Sequence, residues 1–261
     1  FTAHWLNFNF SKFVKSKEEM HLLTIAEGQI NPAEPTAFLP LPTQNERIEA
    51  SEVSTTPQPT TIIPTLTPPP TEQEIPLSHY IVGIYGTPQI TTLDCEIRSA
   101  IDWARAFGVS IDENDFLAKL PHSDDPEIGF VGNINDEMGQ LPPHGYGVYP
   151  PPIANILQQY SLNAQAVKNM TYEDLQREIA NDRPVIVWVV NLPFDIERSM
   201  YTASTGNSLP IARFEHTWIV TGYNLSTVTV VDSHWTYNVA LDTFLERWAV
   251  LENRAIILNT P

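Results

Sequence analysis

The chain has 261 residues, 42% of them apolar, and a formal net charge of −17, a length that allows one or two domains. The acidity makes nucleic acid and anionic membranes poor partners, since both select basic surface. No apolar run is long enough for a membrane span, and a single cysteine, Cys95, excludes an internal disulfide and a Cys-based metal cluster.

In chain order, residues 1–30 form an aromatic and apolar N-terminal segment with Trp5, Leu6, Phe8, Phe10 and Phe13. The chain begins at Phe1, so a removed leader is the expectation. KSKEEMHLLTIAEGQ within this segment reads as a short helix. Residues 31–76 hold 11 of the 23 prolines and the run TTPQPTTIIPTLTPPPTEQE, a composition that favours extended polyproline II over a packed core. Two readings stay open. One is a spacer. The other is an arm that wraps the domain or covers its cleft through Phe38, Leu39, Leu41, Ile62, Ile63 and Leu66.

Residues 77–261 read as the folded domain. Tyr80 to Tyr85 suits a short strand, and Gln89 follows. Thr92 is the expected N-cap of a helix from Glu96 to Phe107, with Cys95 in its first turn; Ile97, Ile101 and Ala104 recur at helical spacing and give it a buried face. A second helix is expected over 110–120. Residues 121–150 form a long loop rich in Pro, Gly, Asp and Asn, and such loops are often functional. Its aromatics Phe130, Tyr146 and Tyr149 either line substrate subsites or staple the loop to the body.

Helices are expected over 152–160 and 171–180, the second opened by a capping pair, Thr171 and Asp174. PVIVWVV (184–190) is apolar on both faces and reads as a central strand. Strands follow at 212–223 and 227–233, joined by a tight turn at 224–226. A helix at 241–248 and a strand at 254–259 complete the chain. Helices first and a mostly antiparallel sheet second make an α+β fold, with the helices packed on the sheet.

The chemistry concentrates on four residues. Cys95 is a thiol at a helix N-terminus, where free backbone N–H groups favour thiolate. His216, inside a strand, suits a base that takes the thiol proton. Asp232, at the end of the next strand, returns beside it and suits the second imidazole nitrogen. Gln89 carries an uncharged amide donor for an oxyanion, together with the Cys95 N–H. Asp94 and Glu96 flank the cysteine and oppose thiolate if close, so both are expected to point sideways or to solvent. His144 could line the cleft and His234 could compete as base. No HExxH-type spacing supports zinc, and neither metal nor cofactor is expected.

PQITTLDCEIRSAIDWARAFGV, FLAKLPHSDDPEIGFVGN, GYGVYPPPIANILQQY, RPVIVWVV, EHTWIVTGY and VTVVDS together resemble the bacterial C39-like, papain-like cysteine peptidases, over about residues 78–260. The resemblance implies a papain-like fold and a Cys–His–Asp triad. The family's glutamine stands six residues before its cysteine, as Gln89 does; its acid follows the histidine by about sixteen, as Asp232 follows His216. Transporter parts found with leader-cutting members are absent here, so their substrates do not carry over. The Thr/Pro stretch resembles linkers of secreted or surface-bound bacterial proteins, which implies an extracellular or envelope location. The expected function is peptide hydrolysis through a Cys95 thioester. Alternatives are an acyltransferase or amidase with the same triad, and a non-catalytic envelope binding module.

Overall fold

A computed structural model describes residues 74–259. The expected N-terminal segment and its helix, and nearly all of the Pro/Thr-rich stretch, lie outside the described residues.

The described chain builds one seven-stranded antiparallel sheet. Its strands are β1 (His79–Tyr80), β2 (Ala164–Val167), β3 (Val185–Val190), β6 (Glu215–Tyr223), β7 (Thr227–Asp232), β8 (Trp235–Ala240) and β9 (Ala255–Leu258). The order is β2-β9-β3-β6-β7-β8, with β1 pairing the end of β6. A separate hairpin joins β4 (Arg198–Thr202) to β5 (Ser208–Ala212). Five helices complete the fold: α1 (Cys95–Ala106), α2 (Glu113–Lys119), α3 (Pro150–Gln159), α4 (Tyr172–Ala180) and α5 (Leu241–Ala249).

Strand β3 shows why the sheet is central. All six of its residues are buried. Ile186, Trp188 and Val190 join the apolar cluster built with α1 and α3. Val185, Val187 and Val189 join the opposite cluster, with Leu175 and Ile179 of α4 and Phe244 and Trp248 of α5. Strand residues alternate between faces, and here both faces are covered by helices. The sheet is therefore the middle layer of three.

Several boundaries differ from the sequence expectation. The segment expected as a strand over Tyr80 to Tyr85 pairs only at His79–Tyr80. The strand expected over 212–223 is two strands, because the chain turns at Arg213 and Phe214, and Phe214 has a positive φ of 57°. Strands β2, β4, β5 and β8 were not anticipated. The α4 start is as expected: Thr171 is the N-cap and accepts a hydrogen bond from the Asp174 N–H.

Helix α1 is fixed to the sheet by two polar anchors within an apolar face. The Trp103 Nε1–H donates to the Pro184 carbonyl at 2.7 Å. Ser99 and Thr217 share a hydroxyl hydrogen bond of 2.9 Å. Thr217 lies next to His216, so this bond sets the distance between the helix that begins at Cys95 and the strand that carries the histidine.

Candidate functional site

Helix α1 begins at Cys95 itself. Asp94, not Thr92, stands at the N-cap position, and its side chain does not cap. The carboxylate turns back instead and accepts from the Ile90 and Thr91 N–H groups at 2.8 and 3.0 Å. Those bonds hold the loop that carries Gln89. The same loop is tied to the end of β7: the Gln89 N–H donates to Ser233 Oγ, and the Ser233 hydroxyl donates to the Thr87 carbonyl. Gly86 permits the approach, since a Cβ there would fall 1.7 Å from the Ser233 carbonyl oxygen. Asp102 of α1 fixes the loop from below by accepting from the Thr87 N–H and hydroxyl.

The result is a small cleft, partly open to solvent, lined by Gln89, Cys95, Ser99, His216, Thr217 and Ser233 among others. Asp232 stands behind the histidine. It accepts from His216 Nε2 at 2.8 Å and from the Tyr237 hydroxyl at 2.8 Å. Burial pushes its pKa up, but the bond and charge of His216 and the Tyr237 hydroxyl outweigh it, and Asp232 sits below the usual carboxylate range. With Nε2 used in this way, Nδ1 has no hydrogen-bond partner among the described residues. Tyr237 was missed from the sequence; strand β8, which carries it, gave no apolar alternation strong enough to be read.

Cys95 departs from expectation. Its thiol donates to Glu96 Oε2 at 3.1 Å, and no hydrogen bond joins it to His216 among the described residues. Asp94 and Glu96, expected to point sideways or to solvent, are both fully buried. Glu96 Oε1 accepts from the Val148 N–H at 2.7 Å, which is why the carboxylate turns inward. Glu215, one residue before His216, is buried beside it. Burial pushes the Cys95 thiol well above its ordinary value, with the charges of Glu96, Glu215 and Asp94 adding to it. Glu96 is raised by burial, despite the Val148 and Cys95 bonds. Glu215 is raised well above the carboxylate range by burial and then by Glu96. These influences all favour the neutral thiol over the thiolate.

Glu96→Gln keeps the shape and an acceptor oxygen but removes a negative charge from beside the sulfur. Losing that charge favours thiolate, so the thiol pKa moves down. The pH midpoint of iodoacetamide labelling is expected to fall, and labelling at neutral pH to rise by about tenfold for each unit of that fall. An unmoved midpoint would show that the sulfur does not feel the Glu96 charge.

The loop aromatics do not line subsites. Phe130, Tyr146 and Tyr149 are buried. The Tyr149 hydroxyl donates to the Pro210 carbonyl at 2.7 Å, and Tyr146 and Tyr149 share a hydroxyl bond of 2.9 Å. The Arg254 guanidinium stacks over the Tyr149 ring. These contacts staple loop 121–150 to the body, and the loop reaches the site through backbone at Gly147 and Val148. His144 is exposed and does not line the cleft. His234 is exposed too, its ring 4.5 Å from that of Trp235.

No helix among the described residues is long and apolar enough to cross a membrane. The family model described as "Peptidase_C39 like family" matches residues 81–256. Among solved structures, a putative C39-like peptidase from Bacillus anthracis superposes with a TM-score of 0.61 at 21% identity, over 70% of this chain and 98% of that one. The peptidase domain of Streptococcus ComA, a bifunctional ABC transporter, gives 0.40 at 13% identity, over 68% and 100%. No curated protein matches the chain.

Proposed function

The chain belongs to the Peptidase C39 like family, and from that premise we propose that it is a cysteine peptidase that cuts peptide bonds through a thioester on Cys95. The observation that carries the reading is the His216–Asp232 bond through Nε2, which leaves Nδ1 free on the residue that shares a cleft with Cys95 and Gln89. Asp232 fixes the tautomer and angle of the ring. Cys95 turns from Glu96 toward His216 Nδ1, gives it the thiol proton, and the sulfur attacks the scissile carbonyl. The oxygen that becomes negative is met by the Cys95 N–H, at the free end of a helix, and by the Gln89 amide. His216 then protonates the departing amine and activates the water that releases the acid.

Substrates in this reading are neutral or basic peptides, in keeping with the acidic chain. Ile90 and Trp235, exposed next to or near the cleft residues Gln89 and Ser233, supply apolar surface for their side chains. The peptidase domain is residues 77–261, preceded by the aromatic segment 1–30 and the Pro/Thr-rich stretch 31–76, on a protein of the bacterial envelope or exterior. The composition of that stretch supports the location.

One observation favours a second reading, a peptide-binding domain without turnover: the thiol is bonded to Glu96 rather than to His216. A peptidyl vinyl sulfone separates the two. It adds to a thiolate held beside a bound peptide. We expect a single adduct on Cys95 in the native full chain, formed far faster than in denatured protein and lost in His216→Ala. Equal rates in native and denatured protein would remove the peptidase reading and leave the binding domain.

A further inference from the structure

Cys95 Sγ, one carboxylate oxygen of Glu96 and one of Glu215 all lie within 4.8 Å of one another, and all three side chains are buried. Glu215 is 8% exposed. Its Oε1 is out of solvent and accepts no hydrogen bond, so the side chain that reaches this cluster carries an unused acceptor. No lysine or arginine among the described residues pairs with Glu96 or Glu215. Buried carboxylates are normally paired or bound to metal, and this pair has no cationic side chain of its own apart from the neighbouring His216.

We propose that Cys95, Glu96 and Glu215 form a binding site for a zinc-type divalent cation. The donor set is one sulfur and two carboxylate oxygens, which suits a borderline metal and disfavours magnesium or calcium. Bonds of about 2.3 Å to sulfur and about 2.1 Å to oxygen place tetrahedral ligands roughly 3.5 Å apart. The Cys95–Glu96 pair is already at 3.1 Å, so small side-chain rotations close the rest. The Val148 N–H, on the other oxygen of Glu96 at 2.7 Å, orients that ligand as an outer-shell donor does. Gly147 allows the backbone to come this close: a Cβ there would stand 2.0 Å from Glu96 Oε1 and 3.2 Å from Glu215 Oε2.

On loading, the sulfur–hydrogen bond is exchanged for a sulfur–metal bond, and that proton and any held by Glu96 and Glu215 leave to solvent. Three protein ligands leave a fourth tetrahedral position for a water. A protein loaded in this way has its only thiol capped, and a chelator restores it. Neither the sequence spacing nor the lone cysteine suggested such a site, because its ligands come from the start of α1 and the start of β6.

The site stands or falls independently of peptidase activity. The reduced, chelator-treated full chain is titrated with Cd²⁺, and the ultraviolet thiolate-to-cadmium charge-transfer band is followed. Cys95 is the only thiol, so the band reports this position alone. We expect saturation at one cadmium per chain, displacement of the band by Zn²⁺, and an affinity at least about tenfold lower in Glu215→Gln, with the fold checked by thermal melting. If that variant does not fold, Glu96→Gln is titrated in its place with the same expectation. Absence of the band would mean that the carboxyls hold only protons. A band of unchanged affinity in the variant would mean that the thiol binds metal alone. Either result overturns the site.

Discussion

His216→Ala is expected to lower peptide turnover by at least roughly 10⁴-fold, the scale of losing one member of a nucleophile–base pair, with melting temperature recorded alongside. The imidazole has two jobs in the proposed reaction, and neither His144 nor His234 is placed to take them over. His144 and His234 are exposed and outside the cleft lining. Graded losses should follow behind it. Asp232→Asn removes the charge that His216 Nε2 meets at 2.8 Å, a charged hydrogen bond, and is expected to cost about ten- to a hundredfold. Tyr237→Phe removes only the outer donor to Asp232 and is expected to cost less than either. Turnover that survives His216→Ala, or the reverse order of the three, would count against the assignment.

The second large effect is on stability. Gly147→Ala is expected to cost about 3 kcal/mol or more. Gly147 has φ +113°, where any side chain is strained, and the new methyl group would meet the Glu96 carboxylate at 2.0 Å. Relief requires moving a buried carboxyl off the Val148 N–H or moving the loop, which is held by Tyr149 on Pro210 and by the Trp188 Nε1–H on the Val148 carbonyl. Urea unfolding of the two proteins measures it. A midpoint shift worth less than about 0.5 kcal/mol, the size of an ordinary surface change, would show that the loop yields easily and that Gly147 is not what holds Glu96 inward.

The parts of the fold that were legible in the sequence are those whose burial is written locally. PVIVWVV has apolar residues on both faces and could only be a central strand, and β6 and β7 are long runs joined by a short polar turn. The α4 cap was readable because Thr171 and Asp174 act within one turn. What escaped carries too weak an apolar pattern to be read locally. Strand β8, WTYNVA, is largely exposed, so its alternation is weak, and β2 is four residues of which only Ala164 is fully buried. The two edge positions of the sheet are therefore those the apolar pattern does not mark.

The site divides in the same way. Cys95, Gln89, His216 and Asp232 were singled out by residue type and spacing; the first three line one cleft, and Asp232 accepts a hydrogen bond from His216. The acidic residues were misread for a physical reason. A carboxylate beside a cysteine is assigned to solvent by default, because burying it is costly unless it is paired. The donor that turns Glu96 inward is a backbone N–H at Val148, and Glu215 comes from the start of β6. Neither is visible from the neighbourhood of Cys95. The aromatics of loop 121–150 were open to two readings because composition marks them as sticky without saying what they stick to.

The bond from the Cys95 thiol to Glu96 also bears on how long the protein lasts. Peroxides and disulfides attack through the thiolate, so a sulfur kept protonated beside a carboxylate is oxidised slowly. The chain has no second cysteine with which a sulfenic acid at Cys95 could close a protective bridge. In the proposed peptidase, Glu96 then trades some readiness of the nucleophile at rest for slower loss of the chain's one cysteine sulfur to oxidation.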